Sequence, residues 1–257
     1  MIYVRSLIFS VLFFTTLGLF CVIGSLLFFM PEKWHVKMWN NIPMPFLRWA
    51  LKIVCGLDIE VRGKRNISQN GVIYASKHQS AMETYVLTTI IKKGAFILKK
   101  ELTYIPVFGW AQALYGMINV NRASGGAAMR NLLREARKAL AKKRPIIIFP
   151  EGTRTKAGTK TEYKSGIYFL VENLKVPVIP VALNTGLFWK KNSFLRHKGK
   201  VVIEFLPQMP DNLSKQEFMS ELESRIEAKC QEINAEAIAK YPDALKIYNE
   251  NVGKKDA

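Results

Sequence analysis

Short apolar runs alternate with amphipathic patterns along most of the chain after Gly56. The runs are rich in Val and Ile and occupy 71–76, 95–98, 116–120, 145–149, 176–183 and 200–206. Most of them show little apolar–polar alternation, which is typical of strands buried on both faces of a sheet. Apolar residues at helical spacing predict a helix within 124–143. Ser214 and Glu217 form a capping box that predicts a second helix running towards Tyr241. This order predicts an α/β fold with a mostly parallel central sheet flanked by helices.

The N-terminus has a different pattern. Residues 7–30 carry no charge and are rich in Leu, Phe, Ile and Val. At about 1.5 Å per residue, a helix of this length can cross a hydrocarbon core of about 30 Å. A cleaved signal peptide is the alternative, but the run is too long for one and no small-x-small cleavage site precedes residues 31–33. We expect the segment to span the membrane or to dip into it. Lys33 and Lys37 follow it directly, which predicts that the rest of the chain faces the cytoplasm.

A second apolar stretch, residues 45–55, has Arg48 and Lys52 on one helical face. This pattern favours an interfacial membrane helix, and a buried helix of the soluble domain is the alternative. We therefore predict a membrane-anchoring helical segment at 1–56 and one globular domain at 57–257.

The charge balance limits the classes of partner. Lys and Arg number 38 and Asp and Glu number 20, which gives a formal net charge of +18. Such a surface attracts nucleic acid, anionic lipid headgroups, or acidic carriers and phosphorylated substrates. The apolar N-terminus favours lipids, and a nucleic-acid-binding protein is the disfavoured alternative because no motif of that class is recognised. The three cysteines lie far apart, which predicts neither a metal site nor a disulfide framework.

The stretch SKHQSAMET places His78 and Glu83 five positions apart, directly after an apolar run. Ser80 and Glu83 have the spacing of a capping box, which would make the carboxylate a part of the helix start. A catalytic histidine with an acid that orients it is the second interpretation. We expect the carboxylate to serve mainly one of these two roles.

The stretch IIIFPEGTRT predicts a strand that ends in a loop of unusual composition. Glu151 supplies a carboxylate, Gly152 permits a close backbone approach, and Thr153 and Arg154 follow. The planar guanidinium of Arg154 suits a phosphate or a carboxylate. A solvated arginine at a strand end is the alternative.

Taken in order, these motifs resemble those of the lysophospholipid acyltransferase family, and of its 1-acylglycerol-3-phosphate O-acyltransferases in particular. The resemblance covers about residues 57–210. Its four blocks are His78 with Glu83, the segment GMINVNR with Arg122, the segment FPEGTR at 149–154, and VPVIPVAL at 176–183. The segment KKELTYIPVFGW at 99–110 also resembles the family. Two positions depart from it, because the family usually has Asp where this chain has Glu83 and often has Asp where this chain has Asn121.

The resemblance implies a glycerolphosphate acyltransferase-like fold and a role for each matched residue. His78 would be the general base, and Glu83 would orient it. Arg154 and Arg122 would bind the phosphate of the substrate, with Lys100 as the third candidate. The substrate site would be completed by Glu151, Gly152 and Thr153, and the Gly152 amide would face the oxyanion.

The implied reaction is transfer of a fatty acyl group from an acyl thioester to the sn-2 hydroxyl of lysophosphatidate, which gives phosphatidate. Acyl-CoA or acyl carrier protein would be the donor co-substrate, and no cofactor or metal is implied. Another lysolipid, such as a lyso-ornithine lipid, is the alternative acceptor. The enzyme would contact anionic lipids at the cytoplasmic face of a bacterial inner membrane.

Overall fold

The computed structural model of the protein describes residues 1–69, 71–121 and 125–253. Within these residues seven strands form one sheet. The strands are β1 (Leu57–Arg62), β2 (Ile73–Ser76), β3 (Ala95–Lys99), β4 (Ile118–Val120), β5 (Ile146–Ile148), β6 (Val178–Leu183) and β7 (Gly199–Phe205).

The sheet is mostly parallel, as predicted. Its order is β1-β7-β6-β2-β5-β3-β4, and the β6–β7 pair alone among these strands is antiparallel. All six predicted strands are present, with ends shifted by one or two residues. The prediction missed β1. This strand lies at the sheet edge and reads LDIEVR, so its polar residues interrupt the apolar run that marks a fully buried strand.

The described helices flank the sheet and follow one another in chain order. They are α1 (Ile2–Leu26), α2 (Glu32–Asn41), α3 (Pro43–Cys55), α4 (Met82–Ile90), α5 (Phe108–Tyr115), α6 (Gly125–Ala141), α7 (Gly166–Leu174), α8 (Lys215–Lys240) and α9 (Pro242–Val252). The capping box of Ser214 and Glu217 begins α8, as predicted. The predicted helix within 124–143 is α6.

Two apolar cores lie on the two faces of the sheet. One contains the inward-facing side chains of α6, α7 and most of α8. The other joins the sheet to α1, α2, α3, α4 and α9. The N-terminal helices therefore belong to the same apolar core as the second face of the sheet, which predicts that they contribute to its stability.

Helix α3 has features of both interpretations of residues 45–55. Its buried face includes Leu47, Ala50 and Leu51, while Trp49 and Ile53 are exposed. The helix thus packs on the domain and presents an apolar outer face, as an interfacial helix would.

Helix α1 is the one described helix with the length and hydropathy of a membrane span. It packs along α3 and α5 and buries a narrow face that includes Phe9 and Cys21. The Arg5 Nε atom donates to the Val54 carbonyl at 2.6 Å. Arg196 donates its backbone N–H to Ser6 Oγ at 3.0 Å, so polar contacts also attach α1 to the rest of the chain.

Candidate active site

The candidate site lies at the carboxyl edge of the sheet, where ligands bind in open α/β folds. Strands β2 and β5 are neighbours at the centre of the sheet and run in parallel. The segment with His78 follows β2, and the segment 149–155 follows β5, so their order in the fold brings the two motifs side by side. The Thr155 N–H donates to the His78 carbonyl at 2.8 Å, which joins the two loops directly.

The imidazole of His78 is held on one edge and on one face. Its Nδ1 atom lies 2.8 Å from Glu83 Oε1. The ring stacks on Phe149, with 3.9 Å between ring centroids and 15° between planes. The His78 side chain is 16% exposed and that of Glu83 is fully buried. This arrangement uses Nδ1 within the protein and leaves Nε2 as the ring nitrogen that can meet a substrate.

Glu83 makes contacts that belong to both interpretations, so its position alone does not select one of the two expected roles. Its Oε1 atom accepts the backbone N–H groups of Gln79 and Ser80, each at 2.7 Å, in addition to its contact with His78. Its Oε2 atom accepts the hydroxyl of Thr185 at 2.8 Å. The longer side chain of Glu reaches back over the start of α4, which begins at Met82, and still contacts the imidazole. Hydrogen bonds to the charged form stabilise a buried carboxylate.

The capping box itself is only half formed. Glu83 accepts the Ser80 N–H, as the motif requires. The Ser80 hydroxyl instead accepts from Met82 N at 3.2 Å, two residues along the chain. The described structure therefore has the carboxylate half of the box and a local serine turn in place of the other half.

A buried ion cluster under the loop was not predicted. Lys77 is 1% exposed, and its Nζ atom lies 2.7 Å from Glu151 Oε1 and 2.5 Å from Glu227 Oε1. Tyr163 donates its hydroxyl to the same Glu227 oxygen at 2.9 Å. Burial alone would lower the pKa of Lys77, but the two carboxylates outweigh it and raise that pKa above 10.5. Lys77 directly precedes His78 in the sequence, but its partner Glu227 lies 150 residues after Lys77, on α8.

Glu151, which was expected to help form the substrate site, contacts residues of both loops. Its side chain is fully buried and accepts the His78 N–H at 2.6 Å and the Thr155 hydroxyl at 2.6 Å, next to its pair with Lys77. A carboxylate with these three contacts holds the two loops together. It therefore acts on the position of His78 from behind the loop.

The Gly152 backbone forms a turn. Its φ angle is +71°, which favours glycine, and its N–H donates to the Phe149 carbonyl at 3.0 Å. The expected orientation of this amide towards an oxyanion is therefore wrong in this structure, because the amide closes the turn.

Two of the predicted phosphate-binding cations, Arg154 and Lys100, lie at the same edge of the sheet. Arg154 is half-buried, and Thr153 beside it is exposed. Arg154 has no ion-pair partner among the residues that the structure describes. Lys100 is exposed and begins the turn after β3, the strand next to β5. Arg122 lies outside the described residues.

No metal cluster is present in the described ranges, which contain no group of three or more His, Cys, Asp or Glu side chains suited to an ion. The cysteines Cys21, Cys55 and Cys230 are free and buried.

Three comparisons relate this chain to known proteins. A model of the Acyltransferase family matches residues 58–184. The chain is 35% identical over 191 residues to a 1-acyl-sn-glycerol-3-phosphate acyltransferase of Pseudomonas aeruginosa, and the aligned region covers 74% of each protein. It is 30% identical over 218 residues to the protein of the same name from Saccharomyces cerevisiae, covering 83% of this chain and 71% of that protein.

A solved structure has a similar fold. It is the crystal structure of the 1-acyl-sn-glycerophosphate (LPA) acyltransferase, PlsC, from Thermotoga maritima. The TM-score is 0.72 at 25% identity, and the match covers 91% of this chain and 98% of that one.

Proposed function

The chain belongs to the acyltransferase family, and from this premise we propose that it transfers a fatty acyl group to the sn-2 hydroxyl of lysophosphatidate. The product is phosphatidate, and the donor is an acyl thioester. The relatives named as 1-acyl-sn-glycerol-3-phosphate acyltransferases support this acceptor. The observation that supports the chemistry is the contact of 2.8 Å between His78 Nδ1 and Glu83 Oε1 beside the segment FPEGTR.

In the proposed reaction His78 Nε2 takes the proton of the acceptor hydroxyl as the oxygen attacks the thioester carbonyl. A C–O bond forms, and the carbonyl electron pair moves to oxygen. Collapse of this intermediate breaks the C–S bond, and the proton on Nε2 passes to the leaving thiolate. The ester and the free thiol are the products, and the imidazole returns to its starting form.

Glu83 has two effects in this scheme. It accepts a hydrogen bond from the Nδ1–H group, which fixes the tautomer with a free Nε2, and its charge stabilises the imidazolium that forms. The backbone N–H groups of Gln79 and Ser80 and the Thr185 hydroxyl donate to this carboxylate and fix its position beside the imidazole.

The acceptor phosphate is assigned to Arg154, with Arg122 and Lys100 as further candidates. A phosphomonoester carries nearly two negative charges, and charge-assisted bonds from Arg are strong. The lack of an ion-pair partner for Arg154 among the described residues supports this role, because its guanidinium is not already neutralised.

The apolar face around α1 supports attachment to a membrane. Phe14 and Leu19 on α1 and Trp49 on α3 are exposed. Large exposed apolar patches mark sites of interaction, and a lipid product requires access to the bilayer. We assign the protein to the cytoplasmic face of a bacterial inner membrane, with acyl-CoA or acyl carrier protein as donor and no cofactor.

A transfer assay with the purified protein in detergent tests this function. One labelled acyl thioester is offered with lysophosphatidate, other lysophospholipids and a lyso-ornithine lipid. Wild-type protein should acylate lysophosphatidate with the highest kcat/KM. His78→Ala should lower kcat by about 10²- to 10⁴-fold, the usual contribution of a general base, without loss of the folded state. A higher kcat/KM for the lyso-ornithine lipid would show that this lipid, and not lysophosphatidate, is the acceptor. Full activity of His78→Ala would show that His78 is not the general base.

A further inference from the structure

A cleft of about 350 Å³ opens beside the loop that carries His78. One wall is formed by Gln79, which directly follows His78, and by Thr155, whose N–H donates to the His78 carbonyl at 2.8 Å. The opposite wall comes from residues 190–192 and the end of α9. The cleft therefore shares a wall with the catalytic loop.

The rim of the cleft is cationic. Three lysines line it, and Glu250 is the acidic residue in its lining. Lys190 Nζ lies 2.8 Å from Glu250 Oε2. Lys156 and Lys191 are exposed, and neither forms an ion pair within the described part of the chain. Two lysine charges at the mouth of the cleft are thus available to an anion.

The wall of the cleft contains an unused hydrogen-bond donor. Gln79 is 1% exposed, and its Oε1 atom accepts the Gly186 N–H at 2.9 Å. Its Nε2 atom is buried and has no partner in the described structure. A Cβ atom at position 186 would lie 2.9 Å from Gln79 Cβ, so glycine is required for this packing. A buried donor without an acceptor costs free energy, and a ligand carbonyl would remove that cost.

We propose that this cleft binds the phosphopantetheine arm of the acyl donor. Lys156 and Lys191 bind its phosphate, and Gln79 Nε2 donates to one of its amide carbonyls. The arm combines these two groups with the thioester that must reach His78. CoA and acyl carrier protein both carry it, so the same cleft suits either donor. This inference rests on the proposed acyl transfer, because only that reaction brings an acyl thioester to this edge of the sheet.

A double variant, Lys156→Gln/Lys191→Gln, tests the phosphate contact. Its matched control is Lys64→Gln/Lys92→Gln, which removes two exposed lysines at the opposite edge of the sheet. The donors are palmitoyl-CoA, palmitoyl-acyl carrier protein and S-palmitoyl-N-acetylcysteamine, which has no phosphate. We expect the KM of a phosphate-bearing donor to rise about fivefold in the first variant, from two exposed charge contacts. The KM of lysophosphatidate, the kcat and the KM of the phosphate-free donor should not change.

A second variant should have the opposite effect. Glu250→Gln removes the carboxylate from the cleft and releases Lys190, so the KM of a phosphate-bearing donor should fall about twofold. A variant that merely disturbs the fold would not strengthen donor binding.

The donors also identify the source of the arm. If the lysine variant raises the KM of palmitoyl-CoA, of palmitoyl-acyl carrier protein or of both, the proposal is supported and the carrier is identified. An unchanged KM for both, or a rise in the KM of lysophosphatidate instead, overturns it. Calorimetric binding of CoA and of holo-acyl carrier protein separates the two proposals. If transfer to lysophosphatidate fails but the lysine variant still weakens CoA or carrier binding, the proposed acceptor is wrong and the cleft proposal stands. If transfer occurs but the lysine variant does not weaken this binding, only the cleft proposal is wrong.

Discussion

At the scale of single residues, Glu83 is proposed to contribute both to the stability of the helix start and to the catalytic function of His78. The side chain is fully buried and accepts two backbone amides and one hydroxyl while it contacts His78. A substitution that keeps its shape and removes its charge can therefore separate these roles.

We expect Glu83→Gln to fold with a loss of stability below about 1 kcal/mol, because an amide oxygen can accept the same two N–H groups and its amino group can donate to Thr185. Turnover should fall by more than tenfold, because a neutral amide does not stabilise an imidazolium. Melting temperature and kcat measured on the same preparations test this expectation.

Glu83→Asp is the complementary variant. It keeps the charge and has the residue usual in the family, but its shorter chain cannot reach both His78 and the two amides. It should lose more stability than Glu83→Gln and keep more activity. Full activity in the Gln variant would show that the carboxylate serves the helix start alone.

Arg154 is the residue to test for acceptor recognition. Arg154→Ala should raise the KM of lysophosphatidate about tenfold or more, because a charged hydrogen bond contributes about 1.5–3 kcal/mol. The KM of the donor should stay constant. A change in the donor KM alone would reassign the guanidinium to the carrier, and no change in either would give it a structural role.

At the scale of elements, the buried cluster of Lys77, Glu151 and Glu227 joins the loop after β2, the loop after β5 and helix α8. Lys77→Met removes the single cation of this cluster and leaves two carboxylates in the interior. We expect a loss of about 3–5 kcal/mol in the free energy of unfolding, measured by denaturant titration. The matched control is Lys164→Met, whose exposed pair with Glu162 should contribute less than about 1 kcal/mol. Equal losses in the two variants would contradict the structural role of the cluster.

The same cluster predicts a dependence on pH. The pKa of Lys77 is raised in the folded state above its ordinary value of 10.5. Its contribution is therefore complete below about pH 10.5 and is lost as the pH rises through the folded-state pKa. The stability of wild type should fall towards that of Lys77→Met in this alkaline range, as measured by denaturant titration at a series of pH values.

At the scale of the whole molecule, α1 has two surfaces with different partners. Phe9 is fully buried against Trp189, whereas Val11 and Phe14 are exposed. Val11→Lys/Phe14→Lys should weaken attachment to vesicles and permit extraction by salt, because each lysine costs about 2.5–3.5 kcal/mol within a bilayer. Its melting temperature in detergent should not change.

Phe9→Ala is the matched variant on the inner surface. It should lower the free energy of unfolding by about 3–5 kcal/mol through the cavity it leaves, while vesicle attachment persists. If the two lysines destabilised the protein in detergent and left it on the vesicles, the outer surface of α1 would be part of the fold rather than a lipid contact.

The sequence by itself determined the features that depend on local pattern. Uninterrupted runs of Val and Ile predicted six strands, since a strand buried on both faces leaves little choice of residue. The short motifs, through their resemblance to the family, assigned His78 and Arg154 to one site.

Tertiary structure decided what depends on contacts between distant residues. Nothing near Lys77 in the chain indicates that Glu227, 150 residues away, completes its ion cluster. The partners of Glu151 were hidden for the same reason, because its contacts with Lys77 and the His78 N–H form only in the folded chain. Helix α1 is apolar on all sides, so its sequence pattern does not predict which face is buried. Packing against α3 and α5 determines the face that contacts the rest of the protein.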